Sequence, residues 1–198
     1  MSIENRIIKL IQNKFFTEEH SNLDYYGKII SSRKYRKIYL CLLISYFTLL
    51  FLNSTIDIVN FLFKIIGILN IYFLGYLSRK INIIIKLYFK RNRPFVDSKN
   101  IITDEKTKSK KKDTFSFPSN SIQTSLIFYN VLFTNVICVE EYKRNLLLFL
   151  IIIIISLSKI NRGLHYPTDI FFSIIIFVFT KYLYLFLVNY LVRLFFIY

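Results

Sequence analysis

The chain has 198 residues; 54% are hydrophobic, yet its formal net charge is +15. A soluble globule does not hold both features, whereas a membrane protein does, with apolar residues in its spans and Lys and Arg in its loops. The basic excess alone fits nucleic acid, but it is interleaved with long apolar runs and no nucleic-acid motif, so anionic headgroups or phosphate are the expected partners.

Residues 1–37 are polar and charged. Ile3, Ile7, Ile8, Ile11 and Phe15 recur at helical spacing, which predicts an amphipathic helix lying on the membrane surface. Its apolar residues are never contiguous for long enough to form a signal peptide. His20 falls here and reads as an exposed residue without chemistry. Arg33 to Lys37 form a basic collar before the first apolar run, residues 38–52, which reads as a span. "NST" at 53–55 is a natural turn and helix start. Residues 56–89 exceed the ~20 that one span needs. One long tilted helix, or two helices broken near Gly67 or Gly75, both fit. Residues 90–117 form a polar loop outside the hydrocarbon, with a lysine run at 106–112. Further spans are expected at 121–139, 146–157 and 170–188. The predicted class is all-α: a polytopic membrane helical bundle of about five to six spans, with residues 1–37 as an N-terminal segment and 38–198 as the transmembrane domain. Cys41 and Cys138 lie in apolar runs, which argues against a structural disulfide, and no metal-ligand spacing exists.

Three polar stations stand at the ends of spans. The first, "KLYFKRNRPF", carries Lys86, Arg93 and Pro94. The second, "FSFPSNSIQ", carries Pro118, Ser119 and Ser121. The third, "SKINRGLHYPTD", carries Lys159, Gly163, His165 and Asp169. A span and its return separate the second station from the third, and a loop joins the first to the second. All three therefore face one side of the membrane. Arg93 can grip phosphate oxygens bidentately. Either Ser119 or Ser121 can cap a helix start, where free N–H groups favour an anion. Pro167 suits a first helical turn. Asp169 in that turn can fix the tautomer of His165 and leave its other nitrogen free to attack. Gly163 lets the backbone come close to whatever His165 faces.

These residues resemble the type 2 phosphatidic acid phosphatase (PAP2) family, the membrane branch of the superfamily that includes vanadium haloperoxidases. Its first motif, Lys, six residues, Arg-Pro, is matched by Lys86 to Pro94. Its third, Ser-Arg, five residues, His, three residues, Asp, reads here as Ser158-Lys159, His165 and Asp169 at the same spacing. Its second, Pro-Ser-Gly-His, reads Pro118-Ser119-Asn120-Ser121. The resemblance covers roughly residues 74–179. It implies a helical bundle with a phosphate pocket at the membrane surface and no required metal or other cofactor. Carried over, Lys86, Arg93, Ser119 and Lys159 bind phosphate, His165 attacks phosphorus to form a phosphohistidine, and Asp169 orients it.

Two departures matter. Lys159 replaces an Arg and loses the guanidinium fork, with Arg162 three residues on as a compensating candidate. Ser121 stands where the family has the histidine that protonates the leaving group. Loss of a general acid costs ~10²–10⁴ in rate, and more for an alkoxide than for a phosphate. The expected enzyme is thus a membrane lipid phosphatase favouring diphosphates, such as polyprenyl diphosphates, over phosphatidic acid. The rival is a catalytically impaired relative that binds phospholipid headgroups or a membrane partner. Either sits in a cellular membrane, endoplasmic reticulum or plasma membrane, with the lysine tract facing the cytosol by its charge.

Overall fold

A computed structural model of the chain describes residues 2–15, 22–52, 56–103, 105, 108–109 and 114–196. His20, the turn at 53–55 and most of the lysine run at 106–112 lie outside the described residues. Among those described there is no strand. Helices α1 (Ile3–Phe15), α2 (Asn22–Ser31), α3 (Arg33–Leu52) and α4 (Ile58–Phe89) lead to the short α5 (Pro94–Asp97). Then come α6 (Asn120–Val131), continued by a π-helical turn (Leu132–Val136), α7 (Glu141–Asn161) and α8 (Pro167–Phe196).

Helices α3, α4, α7 and α8 are long and apolar enough to cross a membrane, and the fold is a helical membrane bundle. Their outward faces carry exposed Leu42, Leu49, Phe63, Leu69, Phe149 and Phe179. Such a surface suits hydrocarbon, because the backbone groups of each helix are satisfied within it. Helix α6 is different. Residues Ile122, Gln123, Ser125, Leu126, Ile127, Phe128 and Val131 are all buried, and it packs on α4, α7 and α8. It is the inner helix of the bundle, tied to α4 by a buried cluster in which Ser78 Oγ and Asn82 Nδ2 both donate to Gln123 Oε1.

The apolar stretch after residue 56 is one helix of 32 residues. Asp57 caps it, accepting the Asn60 N–H at 3.0 Å, and neither Gly67 nor Gly75 interrupts it. A glycine costs a helix only ~1 kcal/mol against alanine, less than breaking the ladder inside lipid. At 1.5 Å per residue it is roughly 48 Å long, against a hydrocarbon core of about 30 Å. Its last turns, with Lys86, therefore project toward the headgroups.

The start of α3 lies beside the three stations, with Arg33 and Arg36 sharing a cavity wall with Lys86, Arg93 and His165. Helix α1 is amphipathic as expected, but it does not lie on the surface alone; it packs against α7. Ile8 is fully buried in a core cluster with Phe95, Ile101, Leu164 and Tyr166. The Gln12 side chain donates to Ile102 O (2.7 Å) and Asn161 O (2.8 Å) and accepts from the Ile102 N–H (3.2 Å). This two-way amide pairing fastens α1 across the station loops. Helix α2 lies against α7 where Gly27 faces Ser158: a Cβ on Gly27 would stand 2.3 Å from the Ser158 Cβ. Asp24 accepts from Asn161 Nδ2 at 3.0 Å beside that contact, and burial pushes its carboxyl above the usual range.

Candidate active site

Helix α4 ends at Lys90 in the left-handed region (φ 46°), its N–H reaching Lys86 O at 3.0 Å. That turn lets the chain double back toward α5. Lys86, in the last turn, donates to Phe115 O at 2.8 Å. Arg93 precedes Pro94, which starts α5 as a first-turn proline does. The Arg93 guanidinium is buried and reaches two segments, Thr114–Phe115 and Leu164. Its Nε donates to Thr114 O and Oγ1 (3.0 Å each), Nη1 to Leu164 O (2.9 Å) and Nη2 to Phe115 O (3.2 Å). The Phe95 N–H donates to Gly163 O at 3.4 Å and the Ser116 N–H to Arg91 O at 2.8 Å. The first station thus holds the other two by backbone bonds as well.

The third station begins where α7 stops. Gly163 has φ +59°, and a Cβ there would meet Ile101 Cγ2 at 2.5 Å. Glycine is required by the loop after α5, not by a close approach to the partner of His165. Beyond it, His165 is buried and Asp169 fully so. His165 Nδ1 lies 3.6 Å from Asp169 Oδ2, too far for a hydrogen bond, and has no hydrogen-bond partner. The carboxylate is held from elsewhere: Oδ2 accepts the Tyr166 N–H (2.9 Å) and Oδ1 accepts Arg91 Nη1 (2.9 Å). Burial drives the imidazole down to about 3, with Asp169 opposing and the Arg93 and Lys86 cations adding to the fall. At neutral pH it is uncharged, as a nucleophile must be.

Arg91 escaped the sequence reading. It also donates to Thr168 Oγ1 (2.7 Å), pairs with Glu4 of α1, and lies 3.9 Å over the Tyr166 ring. Tyr166 in turn donates its hydroxyl to Asp97 at 2.8 Å; burial, with that partner, holds the phenol above its ordinary range. A basic residue five places after Lys86 was visible in "KRNRP", but nothing local tied it to a carboxylate 78 residues later.

A cavity of about 630 Å³ opens between the stations. Lys86, Arg93, Lys159 and His165 line it, as do Ser121 and Arg162. So do Arg33 and Arg36, from the collar before the first span. These are six cationic side chains, and among the described residues no carboxylate lines the cavity. Two residues expected to bind phosphate or take part in catalysis are not on its wall. Asp169 stands behind His165. Ser119 precedes α6 as its N-cap residue, but it is fully buried, its hydroxyl has no partner, and its N–H donates to Ser173 Oγ at 2.7 Å. Among the described residues no cluster of three His, Cys, Asp or Glu is arranged to hold a metal ion.

A family model described as the PAP2 superfamily matches residues 38–193. The chain belongs to the PAP2 superfamily. Neither a search of curated proteins nor one of solved structures returned a match. PAP2 proteins are in general phosphatases acting on phosphate-containing substrates, and this PAP2 chain is a membrane protein by its four long apolar helices. The matched range runs from α3 into α8 and contains all three stations. Arg33, Arg36 and the whole of α1 and α2 precede it.

Proposed function

We propose that the protein is a multi-pass membrane lipid phosphatase that hydrolyses a lipid phosphate or polyprenyl diphosphate through a phosphohistidine. One observation carries this reading: a buried, uncharged imidazole on the wall of a cavity lined by six cations. Such a cavity attracts a phosphoryl group and stabilises the charge that gathers on it in the transition state. Lys86, Arg93 and Lys159 bind the phosphoryl oxygens, and Arg162 supplies a guanidinium beside Lys159. His165 attacks through Nε2, the nitrogen turned away from Asp169. The carboxylate stabilises the positive charge that develops on the ring; the 3.6 Å gap closes to a hydrogen bond as the ring bearing Nδ1–H becomes cationic. Ser119 contributes from behind the wall, through its place before α6, rather than by direct contact.

Ser121 lines the cavity, and in this mechanism it takes the place of the proton donor to the leaving group. A serine hydroxyl does not protonate an alkoxide at neutral pH, so monoesters turn over slowly. A diphosphate expels a phosphate, a far weaker base. The reading is tested with protein in detergent and chelator, offered phosphatidic acid and a polyprenyl diphosphate. Wild type releases phosphate, faster from the diphosphate, and His165→Ala does not. Equal release by the two proteins sinks the mechanism.

A second reading is a binding protein that keeps the fold and the anion cavity. Ser121 and the wide His165–Asp169 spacing favour it. Phosphate release from neither substrate, with retained headgroup binding, would select it.

A further inference from the structure

The cavity extends beyond the PAP2 motifs. Lys86, Arg93, Lys159 and His165 share its wall with Arg33 and Arg36 at the start of α3. Arg36 is buried, which for an arginine demands partners. Its Nη1 donates to Ser31 O (3.0 Å) and Ser125 Oγ (2.7 Å), and its Nη2 to Thr124 Oγ1 (3.1 Å). A guanidinium has five N–H donors. These bonds use three, and among the described residues Nε and one hydrogen of Nη2 make none. Every partner is neutral, so the charge has no counter-ion among them. Thr124 sits one turn along α6 from Asn120, whose carbonyl its hydroxyl also meets at 2.8 Å. Arg33 is exposed on the same wall and can turn toward an anion without repacking. The volume, about 630 Å³, falls in the range of pockets that hold whole small molecules, well beyond a single phosphoryl group.

We infer that Arg33 and Arg36 form a second phosphate subsite, which binds the inner phosphate of a diphosphate ester while its terminal phosphate faces His165. This rests on the phosphatase reading above and names the substrate class of that site. It also accounts for Ser121. The leaving phosphate is stabilised by guanidinium charge and needs no proton from the protein.

The step balances without further reagents. The Nε2 lone pair of His165 forms a bond to the terminal phosphorus, and the bond from that phosphorus to the bridging oxygen breaks. The electron pair stays on the bridging oxygen, and the monophosphate ester leaves as a dianion against Arg33 and Arg36. Water then attacks the phosphohistidine, the P–N bond breaks, and neutral His165, hydrogen phosphate and one proton to solvent result.

The test is a binding measurement that does not depend on turnover. Full-length protein carrying His165→Ala is titrated calorimetrically in detergent with inorganic pyrophosphate and with orthophosphate at fixed salt. Pyrophosphate should bind at least about tenfold tighter, the scale of one charge-assisted contact. Arg33→Gln, and separately Arg36→Gln, should each remove most of that preference. Arg33 is exposed, so its variant folds even if Arg36→Gln does not. A parallel arm uses micelles carrying polyprenyl diphosphate or polyprenyl monophosphate. An arginine-dependent preference in the lipid arm alone supports a lipid occupant, and in both arms a site that reads the diphosphate group itself. No preference in either arm, or one that survives both substitutions, overturns the subsite. Hydrolysis is scored apart: a wild type that releases no phosphate sinks the phosphatase reading, whereas the absence of any arginine-dependent preference sinks only the subsite.

Discussion

Replacing Arg91 with Met tests the link between the N-terminal helix and the His165–Asp169 pair. Asp169 is 0% exposed, and Arg91, 2.9 Å away with a side chain 30% exposed, is the cation it touches. At that distance the bare attraction is about 6 kcal/mol at an effective dielectric of 20, most of it cancelled by desolvation. Removing one partner of a fully buried pair costs ~3–5 kcal/mol, because the other charge stays buried. Water reaches one face of Arg91, which lowers the figure to about 2–3 kcal/mol. For a domain of this size that corresponds to roughly 5–10 °C in Tm. Arg91→Lys should recover part, since an ammonium cannot fork between Glu4, Thr168 and Asp169. The assay is circular dichroism melting in detergent, with phosphate release alongside. Turnover should fall more than binding, because Asp169 acts through His165. A shift under 2 °C for Arg91→Met, or a lysine variant equal to wild type, would refute the argument.

Ser121→His should raise turnover of phosphatidic acid by ~10², with a smaller gain on the diphosphate; equal gains would show that the leaving group is not what the acid serves. The gain is set at the low end because six neighbouring cations disfavour a protonated imidazole. His165 is held down to about 3 when folded against about 6.5 unfolded. Its contribution to stability is therefore intact above pH 6.5 and declines as pH falls from there toward 3, since the unfolded chain binds the proton and the folded one does not. At pH 5 this amounts to about 2 kcal/mol, and a His165→Gln melting series should show a flatter slope between pH 7 and 5. Gly163→Ala should destabilise by ~1–3 kcal/mol through its φ of +59° and the 2.5 Å approach to Ile101, read as a lower Tm. Gly27→Ala should loosen α2 from α7, and pairing it with Ser158→Gly should restore part of the melting temperature.

Hydropathy and spacing in the sequence determined the class of this protein. Apolar runs of span length, polar breaks between them and the order of three short motifs are local properties, and lipid enforces them by forbidding unsatisfied backbone. That is why α3, α4, α7 and α8 stand close to where their residues predict, and why the sidedness argument already put Lys86, Arg93, Lys159 and His165 on one face. What the tertiary structure decided depends on contacts between distant segments. The choice of one helix over two at α4 was open because glycine is a weak breaker in a membrane. The buried role of α1 rests on Gln12 meeting Ile102 and Asn161. The collar arginines reached the cavity because α3 packs along α4 and brings its first turn to the three stations. Asp169 is held by Arg91 and Tyr166 rather than by His165, since a buried carboxylate binds the nearest donors that three-dimensional packing supplies, whatever its neighbours in sequence.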